Sequence, residues 1–532
     1  MNKCDVLYKN CKIFTSDKDN PYAEAMAVKD GRILWVGKEK EAPESDKVVD
    51  LDGKRVLPGF VDSHMHAIML ADCCRQISAL PPSVNSIEEL IIKIGEKRHS
   101  QNEGEWIFGW GYDEGKLKEQ RAPNRYDLDR GCSDSPVVVK RTCGHVYAVN
   151  SKALELAGVT ADTPDPEGGK IGHYENGEPN GILYENARTV LDGVIAEKTP
   201  EDMADDLVYL NDILVSQGVT TGADMGEFIN CDYHDVYDLA IEKGMAVKIA
   251  AYYMWDNVKG KKDFTISKKD QDKNSRFRIA GIKLIGDGSV SGRTAWCDEP
   301  YLGEKEEYGM PVCSEKDIED AVSFCKENGC QLSIHAMGAR TIDRAIEHTW
   351  QQKSWTEGKA PYVRLEHVAM PTKDAIKKAA KSGIAFVTQP IFLYAEIESY
   401  LTNMGLERTK ENYPIADWIK EGVRISFSTD APATAWAEPS NPFVCLKGAV
   451  TRKAWDGTDC GERHRVDIET AIRLYTAESA PMLGFEDIGI LKPGYAADFI
   501  VLDKDILEVP YDEIDSIKVE ETYIDGIKVY HR

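Results

Sequence analysis

Two histidines separated by one residue, His64 and His66, are the first residues of this sequence that could do chemistry. They follow an apolar run, residues 56–61, which predicts a buried strand with one Pro-Gly interruption. In an extended chain residues i and i+2 point to the same side, so both imidazoles can reach one ion. Histidine is the commonest nitrogen ligand of Zn²⁺ and similar metals. The pair therefore predicts a metal site at a strand end, provided that further ligands follow.

Further candidate ligands lie at or near the ends of other apolar segments: His335, His367 and Asp430. Lys283 lies inside the apolar segment 281–288. A buried ammonium is costly, so its surroundings must supply a counter-charge or remove the charge. Carboxylation by CO₂ is one way to remove it, and the carbamate can bridge two metals. Taken singly, each histidine fits a core residue equally well, the lysine fits a salt bridge and the aspartate fits a helix cap. Their conjunction at separate strand ends predicts a metal site.

The segments that carry these residues alternate with helix-length segments, which predicts a parallel α/β architecture. With the strand before His64, eight strands are predicted, the number of a closed (β/α)₈ TIM-type barrel. In such a barrel the active site lies at the carboxyl ends of the strands, where the candidate residues stand. The seven later strands are predicted at residues 218–224, 247–253, 277–285, 331–335, 363–367, 384–389 and 423–430.

Both ends of the chain predict antiparallel strands joined by tight turns. Asp30-Gly31 and Asp525-Gly526 are the hairpin signals. We therefore predict one β-sandwich domain built from both termini, a (β/α)₈ barrel, and an insertion after the first barrel strand that acts as a lid or pocket wall. The predicted boundaries are 1–56 with 480–532 for the β-sandwich, 57–70 with 206–479 for the barrel, and 71–205 for the insertion.

Composition restricts the partners and the compartment. The 532 residues carry a formal net charge of -25, which argues against a nucleic-acid or anionic-membrane surface. The N-terminus lacks the apolar core of a signal peptide, and no apolar run is long enough to span a bilayer. The 13 scattered cysteines fit free thiols in a reducing compartment. We expect a cytoplasmic protein with a small-molecule partner, no nucleic acid and no membrane; whether it forms a homodimer is left open.

Taken together, the motifs resemble the amidohydrolase superfamily, and within it the amidohydrolase family 3 branch that includes N-substituted formamide deformylases. Residues 57–66, Leu-Pro-Gly-Phe-Val-Asp-Ser-His-Met-His, are similar to the opening motif of that branch. The segment 283–295, which starts Lys-Leu-Ile-Gly-Asp-Gly-Ser, is similar to its most distinctive motif. Segments 335–338, 365–367, 388–390, 428–432 and 489–499 extend the resemblance over essentially the whole chain.

This resemblance implies a metal-dependent amidohydrolase that hydrolyses a carbon–nitrogen bond of a non-peptide amide, such as an N-substituted formamide or an N-acyl compound. Attack by metal-bound hydroxide is the implied chemistry, with Asp430 moving the proton as general base and then acid. One or two divalent ions, Zn²⁺ first, are implied. Their implied ligands are His64, His66, Lys283 (as a bridging carbamate if the site is binuclear), His335, His367 and Asp430.

Two departures from the family pattern affect the pocket. The branch usually has Asp-Gly-His where this chain reads Thr142-Cys143-Gly144-His145, and an aspartate where this chain has Ala339. His145 is a candidate donor to the substrate carbonyl oxygen or else a structural histidine. Arg293 is a candidate for binding an anionic substrate group, or it pairs with Asp287 or Glu366.

The insertion contains four closely spaced aromatic residues, Trp106, Phe108, Trp110 and Tyr112. They either wall an apolar substrate pocket or form the insertion's own core. Two other classes of function stay open. One is a deaminase or cyclic-amide hydrolase on the same scaffold, and the other is a catalytically silent metal-binding protein.

Overall fold

The computed structural model describes residues 3–142, 144–227, 229 and 231–532. Cys143, in the stretch that departs from the family pattern, lies outside the described residues. The chain divides into two compact units. The first contains the residues up to 68, 207–434 and 440–532, and the second contains residues 69–206 and 435–439. The finer division into β-sandwich, barrel and insertion stays a prediction.

Eight parallel strands form the centre of the first unit, in the sheet order β8-β7-β6-β5-β4-β3-β2-β1. Just past their ends β8 and β1 are joined by backbone hydrogen bonds, from Asp430 N–H to His64 O at 2.7 Å and from His66 N–H to Ala431 O at 2.8 Å. The predicted TIM-type barrel is therefore confirmed. The strands are β1 Phe60–Asp62, β2 Val219–Asp224, β3 Lys248–Met254, β4 Phe277–Ile285, β5 Gln331–Ala336, β6 Val363–His367, β7 Ala385–Thr388 and β8 Arg424–Phe427.

The apolar run before His64 forms two strands instead of the single predicted one. Arg55–Pro58 pairs antiparallel with Phe499–Leu502, whereas β1 pairs with β2 in the barrel. The chain changes sheets at Gly59, where a Cβ would lie 2.3 Å from the Thr220 side chain. The Pro-Gly pair thus marks the passage from one sheet to the other, because only glycine fits against β2 at that point.

The two ends of the chain form two further sheets in the first unit. Both Asp-Gly turns connect antiparallel neighbours as predicted, with the aspartate and the glycine in the left-handed region at φ 49° and 74° for Asp30 and Gly31. A buried cluster that includes Met26, Phe499 and Tyr523 draws on both sheets. One sheet contains Arg32–Gly37, Ala25–Lys29, Cys4–Lys9 and Ser45–Asp50; the other contains Ile527–His531, Val519–Ile524, Phe499–Leu502, Arg55–Pro58, Lys12–Phe14 and Tyr22–Ala23.

Helices follow the barrel strands and place apolar faces against them, as the 3.6-residue periodicity requires. In the described residues no helix combines the length and the apolar character needed to cross a membrane. The helices that flank the barrel strands are Ala67–Cys74, Pro200–Ser216, Tyr233–Glu242, Trp255–Val258, Glu315–Asn328, Ala339–Thr349, Lys373–Ser382, Pro390–Ala395, Ile397–Met404, Leu406–Glu411, Ile415–Glu421, Pro442–Thr451, Ile468–Leu474 and Ser479–Met482. Short 3₁₀ turns lie at Glu39–Glu41, Glu462–His464 and Tyr511–Ser516.

The second unit has its own mixed six-stranded sheet and its own core. That core has two buried clusters: Tyr112 is fully buried in one, and Trp106 and Phe108, stacked at 6.0 Å, pack against the other. These three aromatic residues therefore contribute to the core of the insertion. The strands are, in sheet order, Gly169–His173, Pro179–Glu185, Val146–Val149, Val137–Arg141, Ile107–Tyr112 and Ile77–Ser78, and the helices are Ile87–His99, Arg125–Gly131, Ser151–Leu156 and the 3₁₀ turn Asn186–Leu191.

Candidate metal centre

The barrel brings three predicted ligands together into one group. His64 follows β1, His367 ends β6 and Asp430 follows β8. All three are buried, and each offers one ligand atom within 4.8 Å of the other two. His64 Nε2 lies 3.1 Å from Asp430 Oδ1, yet neither atom has a hydrogen-bond partner among the described residues. A bound cation would be coordinated by both of these buried atoms and would satisfy them.

Each of the four histidines has one ring nitrogen committed to an oxygen acceptor. His66 Nδ1 lies 3.0 Å from Gly226 O, and His335 Nε2 lies 3.0 Å from Gly288 O. His367 Nδ1 lies 2.8 Å from Gln389 Oε1. A carbonyl oxygen can only accept, so these nitrogens carry the protons. The remaining nitrogen of each ring is therefore unprotonated in the neutral form and free to bind a metal.

For His64 the acceptor is a charged carboxylate. Its Nδ1 lies 2.6 Å from Glu366 Oε2, and both side chains are fully buried. Burial opposes ionisation of Glu366, but the charges of Arg364 and His64 outweigh it and hold the pKa of Glu366 well below its ordinary value. An ionised carboxylate only accepts hydrogen bonds, so His64 Nδ1 is the protonated nitrogen and Nε2 faces Asp430.

Asp430 carries its charge in spite of burial. Burial raises its pKa, but the electrostatic influence of His64 and His66 outweighs burial, so the pKa of Asp430 lies well below the ordinary value. His66 Nε2 lies 3.4 Å from Asp430 Oδ1. Burial lowers the pKa of His66, but Asp430 and then Glu227 raise it to about 9. The carboxylate and the β1 histidines thus form one strongly coupled cluster.

Lys283 is 2% exposed and lies on β4 at the level of the cluster. Its ammonium has no hydrogen bond or ion pair to any of the described residues. Burial lowers the pKa of Lys283 to about 8, against the raising effect of Glu366 and Asp430. Lys283 therefore loses its proton readily, and the neutral amine is the form that reacts with CO₂.

His335 lies beside His367, with ring centroids 4.4 Å apart. Burial lowers the pKa of both imidazoles, so both are neutral near pH 7. Asp287 is fully buried and accepts hydrogen bonds from the backbone N–H groups of Trp296, Met337 and Gly338, each at 2.9 Å. Asp287 thus ties the loop after β4 to the loop after β5, beside His335.

Two of the presumed ligands have an uncommon backbone conformation. His367 has φ 71° and Asp430 has φ 59°, both in the left-handed region, and Val368 follows at φ 55°. A β-branched residue in this region is a genuine outlier. Such strain is found where the surrounding structure fixes a functional side chain, and here it aims the last residues of β6 and of the β8 loop into the barrel.

Sequence reasoning missed Arg364, Asp224 and Glu227, and it considered Glu366 only as a partner of Arg293. Arg364 Nε contacts Glu366 Oε1 at 2.5 Å and Arg364 Nη2 contacts Glu366 Oε2 at 3.0 Å, with both residues fully buried. A charged Arg-Leu-Glu triplet in an otherwise apolar strand was the available signal. Asp224, which ends β2, and Glu227 form a second group of potential ligands with His66, within 4.8 Å of one another.

The two other predicted catalytic residues lie outside these groups. Arg293 Nε donates to Asn403 Oδ1 at 2.8 Å and its Nη1 forms an ion pair with Glu304 at 3.3 Å, so its charged partner is neither Asp287 nor Glu366 in the described residues. His145 belongs to the second unit, where its side chain is 67% exposed and its Nδ1 lies 3.0 Å from Glu185 Oε2. Both catalytic roles stay predictions.

Comparisons with known proteins agree on one family. The amidohydrolase family model matches residues 47–530. The chain is 27% identical to an N-substituted formamide deformylase of Arthrobacter pascens, over 99% of this chain and 98% of that protein. It is also 27% identical to the protein YtcJ of Bacillus subtilis, over 98% of both chains. A crystal structure of an uncharacterized metal-dependent hydrolase from Pyrococcus furiosus superposes with a TM-score of 0.73 and 27% identity, covering 95% of this chain and 100% of that one.

Proposed function

Since this chain belongs to the amidohydrolase family, we propose that it hydrolyses the carbon–nitrogen bond of a small non-peptide amide, an N-substituted formamide or another N-acyl compound. Membership makes it a metal-dependent hydrolase that acts on carbon–nitrogen bonds. The substrate class is our proposal. Its support is the similarity to the formamide deformylase along the whole chain.

The main evidence for a metal at this site is that His64 Nε2 and Asp430 Oδ1 are buried, face each other and lack hydrogen-bond partners among the described residues. With His367, the pair offers two imidazole nitrogens and one carboxylate oxygen. Nitrogen and oxygen ligands of this kind, three in number, are those of catalytic zinc sites, which leave a position open for water or substrate. The residues present therefore fit a divalent ion, and we propose Zn²⁺.

His64, His367 and Asp430 would hold the ion, which would supply an acidified water and a Lewis acid for the substrate carbonyl. Asp430 does the proton chemistry. Because its pKa is held well below the ordinary value, its carboxylate is ionised at neutral pH and can accept the proton of the attacking water. It then returns that proton to the leaving nitrogen. Glu366 and Gln389 keep His64 and His367 in the tautomers that leave Nε2 free.

We propose that Lys283 is carboxylated. Its buried amine forms no ion pair with the described residues and burial lowers its pKa to about 8, both of which favour the neutral amine that attacks the carbon of CO₂ and loses a proton. A carbamate on Lys283 adds two oxygen ligands. His66 and His335, each held through one ring nitrogen by a backbone carbonyl, would then share a second ion with it through the other nitrogen, and the ion would displace the proton from His66.

His145 and Arg293 are proposed to act on the substrate. An imidazole of His145 near the reacting carbonyl would stabilise the developing negative charge on its oxygen. Arg293 would bind an anionic substituent of the substrate, since among the described residues the ion pair of its Nη1 is with Glu304, at the surface. Exposed ion pairs contribute little, so this contact could be exchanged for a substrate carboxylate.

The partners and compartment are also proposals. The 13 scattered cysteines support a cytoplasmic enzyme, and the net charge of -25 supports small molecules as partners in place of nucleic acid or membranes. Sedimentation or size exclusion combined with light scattering would determine whether the enzyme is a homodimer.

A substrate panel tests the proposed function. Zinc-loaded enzyme is assayed against N-substituted formamides, acyl-amino acids, cyclic amides and aminopyrimidines, with Asp430→Asn as the inactive control. We expect turnover of formamides or acyl compounds that disappears in the variant. Turnover confined to cyclic amides or aminopyrimidines would replace the proposal with the cyclic-amide hydrolase or deaminase, and bound metal without any turnover would indicate a silent metal-binding protein.

A further inference from the structure

A cavity of about 330 Å³ lies at the amino-terminal end of the barrel strands, where Arg278 of β4 and Gln331 of β5 line it. Lys283 lies five positions after Arg278 along β4, a distance of about 16 Å at the usual rise. The cavity is therefore at the end of the barrel away from the metal centre. Lys268, Lys273, Asn274 and Gly484 also contribute to its wall.

Arg278 is the notable residue of this wall. It is 7% exposed, and Nη1 donates one hydrogen bond, to Gly484 O at 3.0 Å. Its Nε has no hydrogen-bond partner among the described residues, and the guanidinium forms no ion pair with any described aspartate or glutamate. Burial lowers the pKa of Arg278, but a guanidinium stays protonated in proteins. The residue is thus a buried cation with unused donors.

The other polar side chains of the wall already have partners. Lys273 pairs with Glu486 at 2.9 Å, and Lys268 lies 3.7 Å from Glu357. Gln331 Nε2 donates to Pro361 O and Met482 O, at 2.8 Å and 3.1 Å. Two acidic residues also line the wall: Glu357 faces Lys268, and Asp272 accepts hydrogen bonds from Asn274 N–H and Nδ2 at 3.0 Å and 3.1 Å. Asp272 and Glu486 are near enough to raise the pKa of Arg278, but no described carboxylate forms an ion pair with its guanidinium. A buried charge without an ion-pair partner lowers the stability of the folded protein. An anion bound to the Arg278 guanidinium would remove that cost.

The surroundings hold the guanidinium in place. Its Cζ lies 5.6 Å from the centroid of the Phe485 ring, a cation–π contact. Gly484 is the second contact of the guanidinium, and a Cβ at this glycine would lie 2.9 Å from Arg278 Nη1 and 3.1 Å from Nη2. The glycine therefore allows the backbone to approach the planar group closely. A fixed fork of donors that opens on a cavity is suited to a carboxylate or phosphate group, which guanidinium binds through two parallel hydrogen bonds.

We propose that this cavity is a second, non-catalytic ligand site that binds a small molecule through a carboxylate or phosphate group held by Arg278. The site is independent of the metal centre and of the substrate class assigned above. A volume of about 330 Å³ is at the lower end of ordinary ligand pockets, which admits an oxyanion with a small organic substituent.

Titration calorimetry at low ionic strength tests the site, with inorganic phosphate and acetate as separate probes and chloride as the ionic-strength control. We expect saturable binding of phosphate, acetate or both at one site per chain, and a crystal soaked with the same probe should show it within hydrogen-bond distance of Arg278 Nη2. Arg278→Gln should weaken that binding at least about tenfold, the loss expected for a charged hydrogen bond. Arg276→Gln is the matched control, because Arg276 pairs with Asp525 and does not line this cavity.

Should Arg278→Gln fail to fold, Arg278→Lys keeps the charge but loses the planar fork, and it should retain weakened binding. The proposal would be overturned if phosphate and acetate gave wild-type protein the same non-saturating heats as chloride and if the soaked crystals showed no ordered anion at Arg278. So would equal affinities of wild-type and Arg278→Gln protein, because the anion would then bind elsewhere.

Discussion

Glu366 Oε2 lies 2.6 Å from His64 Nδ1, and the two residues are fully buried although 302 positions separate them in the sequence. The same carboxylate contacts Arg364 and accepts a hydrogen bond from Ser333 Oγ at 2.7 Å. Glu366 therefore has two roles: it determines the tautomer of His64, and it neutralises the charge of the buried Arg364 guanidinium. A metal-binding histidine oriented by a carboxylate is a stronger ligand, because the carboxylate fixes the ring and raises its basicity.

Replacing Glu366 with glutamine should weaken metal binding while preserving side-chain volume. The amide removes the negative charge opposite His64 and leaves Arg364 without its counter-ion. We expect zinc affinity to fall about 10–100-fold, the usual effect of losing such a partner, measured by competition with a chromophoric chelator. Ser333→Ala removes one neutral hydrogen bond from the same carboxylate and should change the affinity much less. Equal losses in both variants would contradict the tautomer argument.

Metal removal should abolish hydrolysis. If the clustered ligands bind zinc, the purified enzyme should contain roughly one or two equivalents, and chelation should remove activity that zinc then restores. His64→Ala should lower the metal content together with the rate, as elemental analysis and a turnover assay will show. His531→Ala, at an exposed histidine of the C-terminal strand, serves as the control. A fully active enzyme without metal would refute the metal-dependent site.

Carboxylation of Lys283 should depend on pH with a defined sign. Burial lowers the pKa to about 8, so the neutral amine is the minor form below that pH and the major form above it. In metal-free protein, the carbamate signal from ¹³C-bicarbonate should therefore increase between pH 7 and 9 in carbon NMR spectra. It should vanish in Lys283→Ala, whose activity short carboxylic acids should partly restore.

Lys248 provides the internal control for that experiment. Its ammonium is held by Asp498 and Asp525 at 2.7 Å and 2.8 Å. Burial lowers the pKa of Lys248, but these two carboxylates outweigh it and raise the pKa above the ordinary value. Lys248→Arg should leave the carbamate signal unchanged. A signal that survives Lys283→Ala would place the carbamate on another lysine.

His145→Ala tests the role of the insertion. If this imidazole stabilises the negative charge on the substrate oxygen, turnover should fall by a factor on the order of 10²–10³ with unchanged metal content. His173→Ala, at an exposed histidine in a strand of the same unit, should leave turnover unaffected. Wild-type turnover in His145→Ala would assign specificity to the barrel loops instead.

The sequence by itself determined the elements and most of the presumed ligands. Alternation of apolar segments and helix-length segments gave β2 to β7 within one residue, and β4 and β6 at their observed bounds. β8 ends three residues before its predicted end, and β1 begins four residues after the start of the predicted run. The two Asp-Gly pairs located both hairpins. These features are local, since hydrophobic periodicity and turn chemistry depend on residues close together in the chain. Parallel strands also place their carboxyl ends together, so His64, His367 and Asp430 could be grouped from their positions alone.

Only the tertiary structure decided which side chains compensate one another. Glu366 points at His64 because β1 and β6 face each other across the barrel interior, and no local pattern encodes that contact. Arg278 and Lys283 share one strand, but one ends in a cavity and the other beside the metal cluster. The Pro58-Gly59 break became a change of sheet because of Thr220, which lies 161 positions beyond Gly59. Burial and electrostatic pairing are properties of contacts between distant segments, so they emerge only when the barrel closes.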